Sequence, residues 1–174
     1  SSRLEFHYRP KKGWINDPNG LVYFKGYYHV FYQHAPNHEI PWQEPMHWGH
    51  ARTKDFLEWE ELPIALTPDA PYDKSGCWSG TAIVKDGKMY LFYAGITAVS
   101  TIAVAVSEDG VNFEFVKPFL VPQACGDNKW MAQYVYACCL TKYGNKLRLY
   151  FYARNVSDNL RGRESIGIFE SEIK

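Results

Sequence analysis

Apolar and polar residues alternate in short runs along this chain, and no stretch keeps the three-to-four-residue period of an amphipathic helix. Leu21-Val22-Tyr23-Phe24 and Tyr27-Tyr28-His29-Val30-Phe31-Tyr32, parted by Lys25-Gly26, predict two strands joined by a tight hairpin. The layout returns at Thr81–Tyr93 around Asp86-Gly87, and again at Cys139–Tyr152 around Gly144-Asn145. A Phe-Tyr pair ends the second strand each time, starting at 31, 92 and 151, a period of about sixty residues. Downstream of the first hairpin, Asp55-Phe56-Leu57-Glu58-Trp59-Glu60 has its counterpart in Asp109-Gly110-Val111-Asn112-Phe113-Glu114.

Each unit therefore reads as strand, turn, strand, loop, strand, turn, strand. A four-stranded antiparallel meander at this period is the signature of a β-propeller blade. A β-sandwich predicts no such recurring marks. The expected fold is all-β, a propeller with three blade-like units at about 14–66, 77–122 and 134–174 in a single partial domain. The third unit ends after its third strand, Ile166 to Ile173, and the segment 4–8 is the expected source of a closing fourth strand. Open blade edges invite association, so a homo-oligomer pooling blades from two copies is a further expectation.

Composition narrows the function classes. Lys plus Arg and Asp plus Glu both number 19, which argues against a nucleic-acid partner or a polyanion. No apolar run is long enough to span a membrane. Aromatic residues make up 17% of the chain, with 13 Tyr, 10 Phe and 6 Trp. A β-rich core absorbs most of them, but tryptophans in polar loops also suit the apolar faces of sugar rings. The cysteines are Cys77, Cys125, Cys138 and Cys139, without metal-binding spacing. Cys138 and Cys139 are neighbours on a predicted strand and point to opposite faces, so unpaired thiols are expected. That, with no signal peptide in view, leans towards a reducing, cytoplasmic compartment without assigning a location.

The densest chemistry lies in Trp14-Ile15-Asn16-Asp17-Pro18-Asn19-Gly20. Pro18 fixes its own backbone and biases Asp17 away from the helical region, while Gly20 releases the chain into a strand. The expectation is a carboxylate held in a rigid turn at the mouth of a sheet; the alternative is an Asx turn that only caps its own backbone.

With this motif on the first blade's inner strand, residues 6 to about 122 closely resemble glycoside hydrolase family 32, the β-fructofuranosidases. The matching segments are residues 14–20, Phe31-Tyr32-Gln33-His34-x-Pro36, Met46-His47-Trp48-Gly49-His50, Asp55-x-x-x-Trp59, Leu62-Pro63-Ile64-Ala65-Leu66 and Trp78-Ser79-Gly80. The resemblance implies a five-bladed propeller with an axial funnel, cleaving fructosides such as sucrose or fructans with retention and without a cofactor. It implies Asp17 as nucleophile, with Asn16, Gln33, Trp42, Trp78 and Ser79 lining the fructose subsite. Packing is the alternative role for Trp42, and backbone bonding for Gln33.

The chain also departs from the family. Members carry an Arg-Asp-Pro segment and a Glu-Cys pair on middle blades, the latter holding the general acid/base; neither dipeptide occurs here. Tyr134 to Ile173 reads instead like a late blade, as though two middle blades were absent. Retaining hydrolysis needs a second carboxyl about 5 Å from the first. Glu164, between Arg163 and an apolar strand, is the candidate acid/base, although flanking arginines favour its ionised form and a structural ion pair competes. Asp127 reads as a turn residue, and Glu44 and Asp73 lie in loops near the expected funnel. Four histidines within 34–50 suggest a metal, yet His47 and His50 are three apart on a strand and face opposite ways, so interior hydrogen bonding is expected and no metal site. The reading is thus a fructoside hydrolase, with two alternatives: a non-catalytic sugar-binding propeller remnant, or a subunit completing its site by oligomerisation.

Overall fold

The computed structural model describes residues 7–122, 130–156 and 164–172. Eleven described strands form three antiparallel meanders. The first blade holds β1 (Trp14–Phe24), β2 (Tyr27–Ala35), β3 (His47–Thr53) and β4 (Trp59–Leu66), paired in that order. The second holds β5 (Cys77–Lys85), β6 (Lys88–Ile96), β7 (Ser100–Ser107) and β8 (Glu114–Leu120). The third holds β9 (Tyr134–Tyr143), β10 (Lys146–Arg154) and β11 (Glu164–Glu172). This is the all-β, propeller-type arrangement expected from the repeat.

The repeated marks have local causes. Lys25-Gly26 (φ 48° and 84°) and Asp86-Gly87 (φ 51° and 72°) put both central residues in the left-handed region, the turn whose twist matches a two-residue hairpin. Asp55 accepts the N–H groups of Leu57 and Glu58 through Oδ1 at 2.9 Å each, and Asp109 does the same for Val111 and Asn112 at 2.8 Å. One Asx turn thus joins the third strand to the fourth in both complete blades.

Strands β1, β5 and β9 are the inner strands, β1 lying beside β5 and β5 beside β9. Between the first two blades Phe31, Trp48, Met89, Leu91 and Tyr93 are buried together. A second cluster of Ile102, Val135, Leu149 and Phe151 joins the second blade to the third. The outer strands β4 and β8 contain Pro63 and Pro118, which offer no N–H to a further strand. Strand β11 has no proline, and among the described residues no fourth strand pairs with it. Its residues Ile166 and Ile168 are exposed. Of the expected closing strand, Leu4–Phe6 lie outside the described residues. Tyr8 is not in a strand; its hydroxyl meets that of Tyr32 at 2.7 Å and its ring packs on Trp59, both in the first blade.

One local expectation changes. Residues 14–20 are not a turn preceding a strand: β1 runs through them, paired with β2. Two register shifts, between Ile15 and Pro18 and between Asn19 and Val22, absorb the irregular backbone that the sequence signals as a turn. Pro18 is tolerated because β1 is the inner edge of its blade.

Candidate active site

The first of those register shifts puts Asn16 and Asp17 in a bulge at the mouth, both exposed. A bulge re-aims side chains that regular pleating turns elsewhere. The hydroxyl of Ser79, on the inner strand of the second blade, donates to Asp17 Oδ2 at 3.2 Å. Two residues on, Asn19 is buried; its Nδ2 donates to the Asp17 carbonyl at 3.4 Å, and its Oδ1 accepts the Gly80 N–H at 3.2 Å. Gly80 is required here, since a Cβ would lie 1.9 Å from the Phe92 carbonyl oxygen. Asp17 is thus held at its backbone carbonyl by Asn19 of its own strand and at its carboxylate by Ser79 of the neighbouring blade.

Tryptophans form one wall. Trp42, from the loop between β2 and β3, has φ 62°, a strained conformation for a bulky side chain. Its ring stacks on Trp78 (centroids 5.6 Å apart, planes at 11°) and meets the edge of Trp14 at 5.1 Å. Trp42 remains 57% exposed, so this stack presents an open aromatic face rather than core packing. Trp78 is anchored from below, because buried Trp48 donates its indole N–H to the Trp78 carbonyl at 3.0 Å. Gln33 pairs with Trp48 across β2 and β3 and is 2% exposed. Neither atom of its amide group has a hydrogen-bond partner among the described residues. A buried amide in that state is expensive, and a hydroxyl-rich ligand is one way to satisfy it.

Beside Ser79 opens a cleft of about 580 Å³, lined from the second blade by Trp78, Ser79, Ala94 and Ile96 and from the third by Tyr134, Tyr136, Ala137 and Arg154. None of these is a carboxylic acid. Glu164, the acid/base candidate, is the first residue of β11, exposed and hydrogen-bonded to Tyr152. It stands two strands out from β9, about 10 Å at ordinary strand spacing, and pairs across β10 and β11 with Arg154 of the cleft.

A comparison with family models matches residues 7–129 to the glycosyl hydrolases family 32 N-terminal domain. The chain belongs to glycoside hydrolase family 32. Among curated family 32 relatives, a sucrose-6-phosphate hydrolase of Zymomonas mobilis is 44% identical over 63% of this chain and 23% of its own length. A raffinose invertase of Escherichia coli is 44% identical over 63% of this chain and 25% of its own. The chain therefore spans about a quarter of the length of these relatives. Among solved structures, a Bombyx mori GH32 beta-fructofuranosidase superposes with a TM-score of 0.76 at 30% identity, over 96% of this chain and 35% of that one. A sucrose-6-phosphate hydrolase of Lactobacillus gasseri gives 0.77 at 27% identity, over 97% and 34%. The superposition includes the third blade, which lies beyond the matched family domain.

The remaining acids and histidines have other tasks in this family 32 chain. Asp73, expected near the funnel, is 1% exposed; it accepts the Tyr93 hydroxyl and the Ala70 N–H, each at 2.9 Å, and the Cys77 thiol at 3.7 Å. Burial pushes its carboxyl above the ordinary range and raises the Cys77 thiol too. Asp73 therefore braces the loop leading to Trp78. Glu44 accepts the Asn37 backbone and amide N–H groups at 2.8 and 3.0 Å. Asp127 lies outside the described residues. His47 Nδ1 donates to the Pro45 carbonyl at 2.9 Å, whereas His50 is buried and shares a 2.9 Å hydrogen bond with His29. Sequence reasoning missed Asn19, because an Asn before Gly reads as turn chemistry. Its one available signal was its place two residues after Asp17, on the same side of an extended strand.

Proposed function

We propose that this chain carries the fructosyl-binding half of a β-fructofuranoside hydrolase acting on sucrose or short fructans. The observation that carries the reading is the carboxylate of Asp17, exposed at the mouth and held by Ser79 Oγ beside the Trp42–Trp78 stack. In the proposed reaction a carboxylate oxygen of Asp17 attacks the anomeric carbon of the fructosyl unit while the bond to the leaving oxygen breaks. The leaving oxygen takes a proton from an acid, and water later releases fructose from the ester and restores the carboxylate. Asn16 and Ser79 lie within reach of ring hydroxyls, the Gln33 amide supplies a donor and an acceptor beneath, and Trp42 and Trp78 pack on the apolar face.

The absence of a carboxyl among the described residues lining the cleft favours a second reading, in which the chain binds fructosides without cleaving them. The edge of β11, which pairs with no further strand among the described residues, and its exposed Ile166 and Ile168 also suit association with another copy, by which a second acid is supplied. Release of fructose from sucrose and a short fructan, by this chain and by Asp17→Asn, separates these readings. Turnover lost by at least about a thousandfold in Asp17→Asn fits the nucleophile. Fructoside binding without turnover in either protein fits the binding domain. Sedimentation analysis gives the mass of the active species; a monomer that turns over excludes completion by a second copy.

A further inference from the structure

The turn between β3 and β4 contains a strained residue for which the site at the mouth has no use. In the second blade the Asx turn places Gly110 at φ 78°, and a Cβ there would lie 2.7 Å from the ring of Phe24 in the first blade. Its equivalent in the first blade is Phe56, whose N–H donates to Thr53 Oγ1 at 2.9 Å as that of Gly110 does to Ser107 Oγ at 2.8 Å. Phe56 adopts φ 63°, disfavoured for a bulky side chain, and is 54% exposed. A blade docked on this flank as the first docks on the second would bring a ring to the place that Phe56 fills. A strained, exposed aromatic residue where glycine suffices points to a task outside folding. We propose that Phe56 belongs to a polysaccharide-binding site, which anchors the long chain of a fructan at the end of the blade away from Asp17. The sugar class is taken from the fructoside reading, whereas the site itself does not depend on Asp17.

The surroundings supply both halves of sugar recognition. Aromatic rings form a row: the Phe56 centroid lies 4.5 Å from that of Tyr28 and 6.4 Å from that of Trp59, and Tyr28 lies 4.9 Å from Tyr23. Tyr23, Tyr28 and Phe56 are all exposed. Such a row exceeds the footprint of one sugar ring and suits the apolar C–H faces of successive units. Trp59 also lines a pocket of about 300 Å³ with Tyr27, Arg52, Lys54, Glu58 and Glu60. The guanidinium of Arg52 stands 4.1 Å from the Tyr27 ring centroid and the Lys54 ammonium 5.0 Å from it, and Arg52 Nε donates to Glu60 at 2.7 Å. Charges of both signs that balance one another attract no ion strongly, yet they offer donors and acceptors to hydroxyl groups. A neutral polyol fits this rim better than a charged partner. Strand β3 starts at the mouth and ends at this turn, so the pocket lies about 20 Å from the mouth along the strand. A chain held here leaves the mouth free.

The test uses the Asp17→Asn chain, in which ligands are not consumed, titrated calorimetrically with inulin while methyl β-D-fructofuranoside saturates the mouth. Inulin still binds, and adding Phe56→Gly weakens it about tenfold while methyl fructoside binding stays unchanged. The thermal midpoint does not fall, because glycine suits the left-handed position as it does in the second blade. If the midpoint falls nonetheless, Tyr23→Ser at the far end of the row repeats the measurement and weakens inulin severalfold. Inulin binding that methyl fructoside abolishes, or that neither variant weakens, overturns the proposal. So does a drop in sedimenting mass on Phe56→Gly, which would make this flank a contact between copies. Should methyl fructoside not bind, the reading of the mouth fails, and inulin binding that depends on Phe56 still retains the anchor.

Discussion

Between the first and second blades, Phe31, Trp48, Met89 and Leu91 are fully buried, and polar links cross the joint along its length. Ser79 and Gly80 bond to Asp17 and Asn19 at the mouth, Cys77 N–H donates to the Met46 carbonyl at 2.7 Å, and Lys25 reaches the Glu108 carbonyl at 2.7 Å near the hairpin ends. Among the described residues, the joint between the second and third blades holds a smaller apolar cluster and a short polar link in which Ser100 Oγ donates to the Val135 carbonyl and accepts the Val135 N–H, each at 2.9 Å, with longer contacts from the Cys138 thiol to the Phe92 carbonyl and from the Gln133 amide to the Ala98 carbonyl. It also contains two clefts, the one beside Ser79 and an apolar groove of about 320 Å³ lined by residues such as Ile83, Phe119, Leu140 and Phe169. The tight joint positions a carboxylate; the loose one leaves room for something to enter. Precision and access are thus assigned to different joints of one propeller-type chain.

The sharpest way to break that contrast is Trp48→Ala. It opens a cavity in the tight joint and removes the hydrogen bond beneath Trp78, so a loss of about 3–5 kcal/mol in denaturant unfolding is expected, with fructoside binding weakened as well. Acid is the next lever, again on the tight joint. The Phe24 carbonyl accepts from His29 Nε2, so His29 Nδ1 accepts from His50 Nε2, and His50 Nδ1 is buried without a partner among the described residues. Burial, with His29 and Arg52 nearby, lowers the His50 imidazole from 6.5 to about 3. The unfolded chain therefore takes up a proton near pH 6.5 that the folded chain refuses until about pH 3. Stability from this group is complete above pH 6.5 and falls as pH drops towards 3, by on the order of 3 kcal/mol at pH 4. Unfolding midpoints from pH 7 to pH 4, compared with those of His50→Phe, measure it; an equally steep decline in His50→Phe contradicts the assignment. Ser100→Ala has the smallest effect. It strands the Val135 N–H and carbonyl for about 2 kcal/mol, confined to the loose joint, with methyl fructoside binding unchanged. If Ser100→Ala also abolishes that binding, the two joints are one cooperative unit and the contrast fails.

Much of this was legible because it is local. Lys25-Gly26 and Asp86-Gly87 specify their hairpins, the paired Asx turns explain the second recurring mark, and the order of motifs from Trp14 to Gly80 identifies the family. What stayed hidden depends on partners far along the chain. Asp17-Pro18-Asn19-Gly20 reads as a turn because turn chemistry is visible in four residues, whereas β2, which draws the segment into a strand, begins beyond the Lys25-Gly26 turn. Asp73 carries no mark of its burial until Tyr93 folds over it. Glu164 is marked in the sequence only by Arg163 before it and an apolar strand after it, which give no sign that strand order sets it two strands out from β9.

The hydrogen bonds from Ser79 and Gly80 to the segment around Asp17 have a consequence for how such a protein can be rearranged. Propellers grow and diversify by copying, losing or exchanging blades, and a single blade looks like the natural unit of that traffic. Here a foreign second blade brings its own inner strand, and with it the loss of the hydroxyl and the N–H that hold the carboxylate and its neighbour Asn19. The piece that keeps these two hydrogen bonds when transplanted is therefore a pair of blades, Trp14 through Leu120.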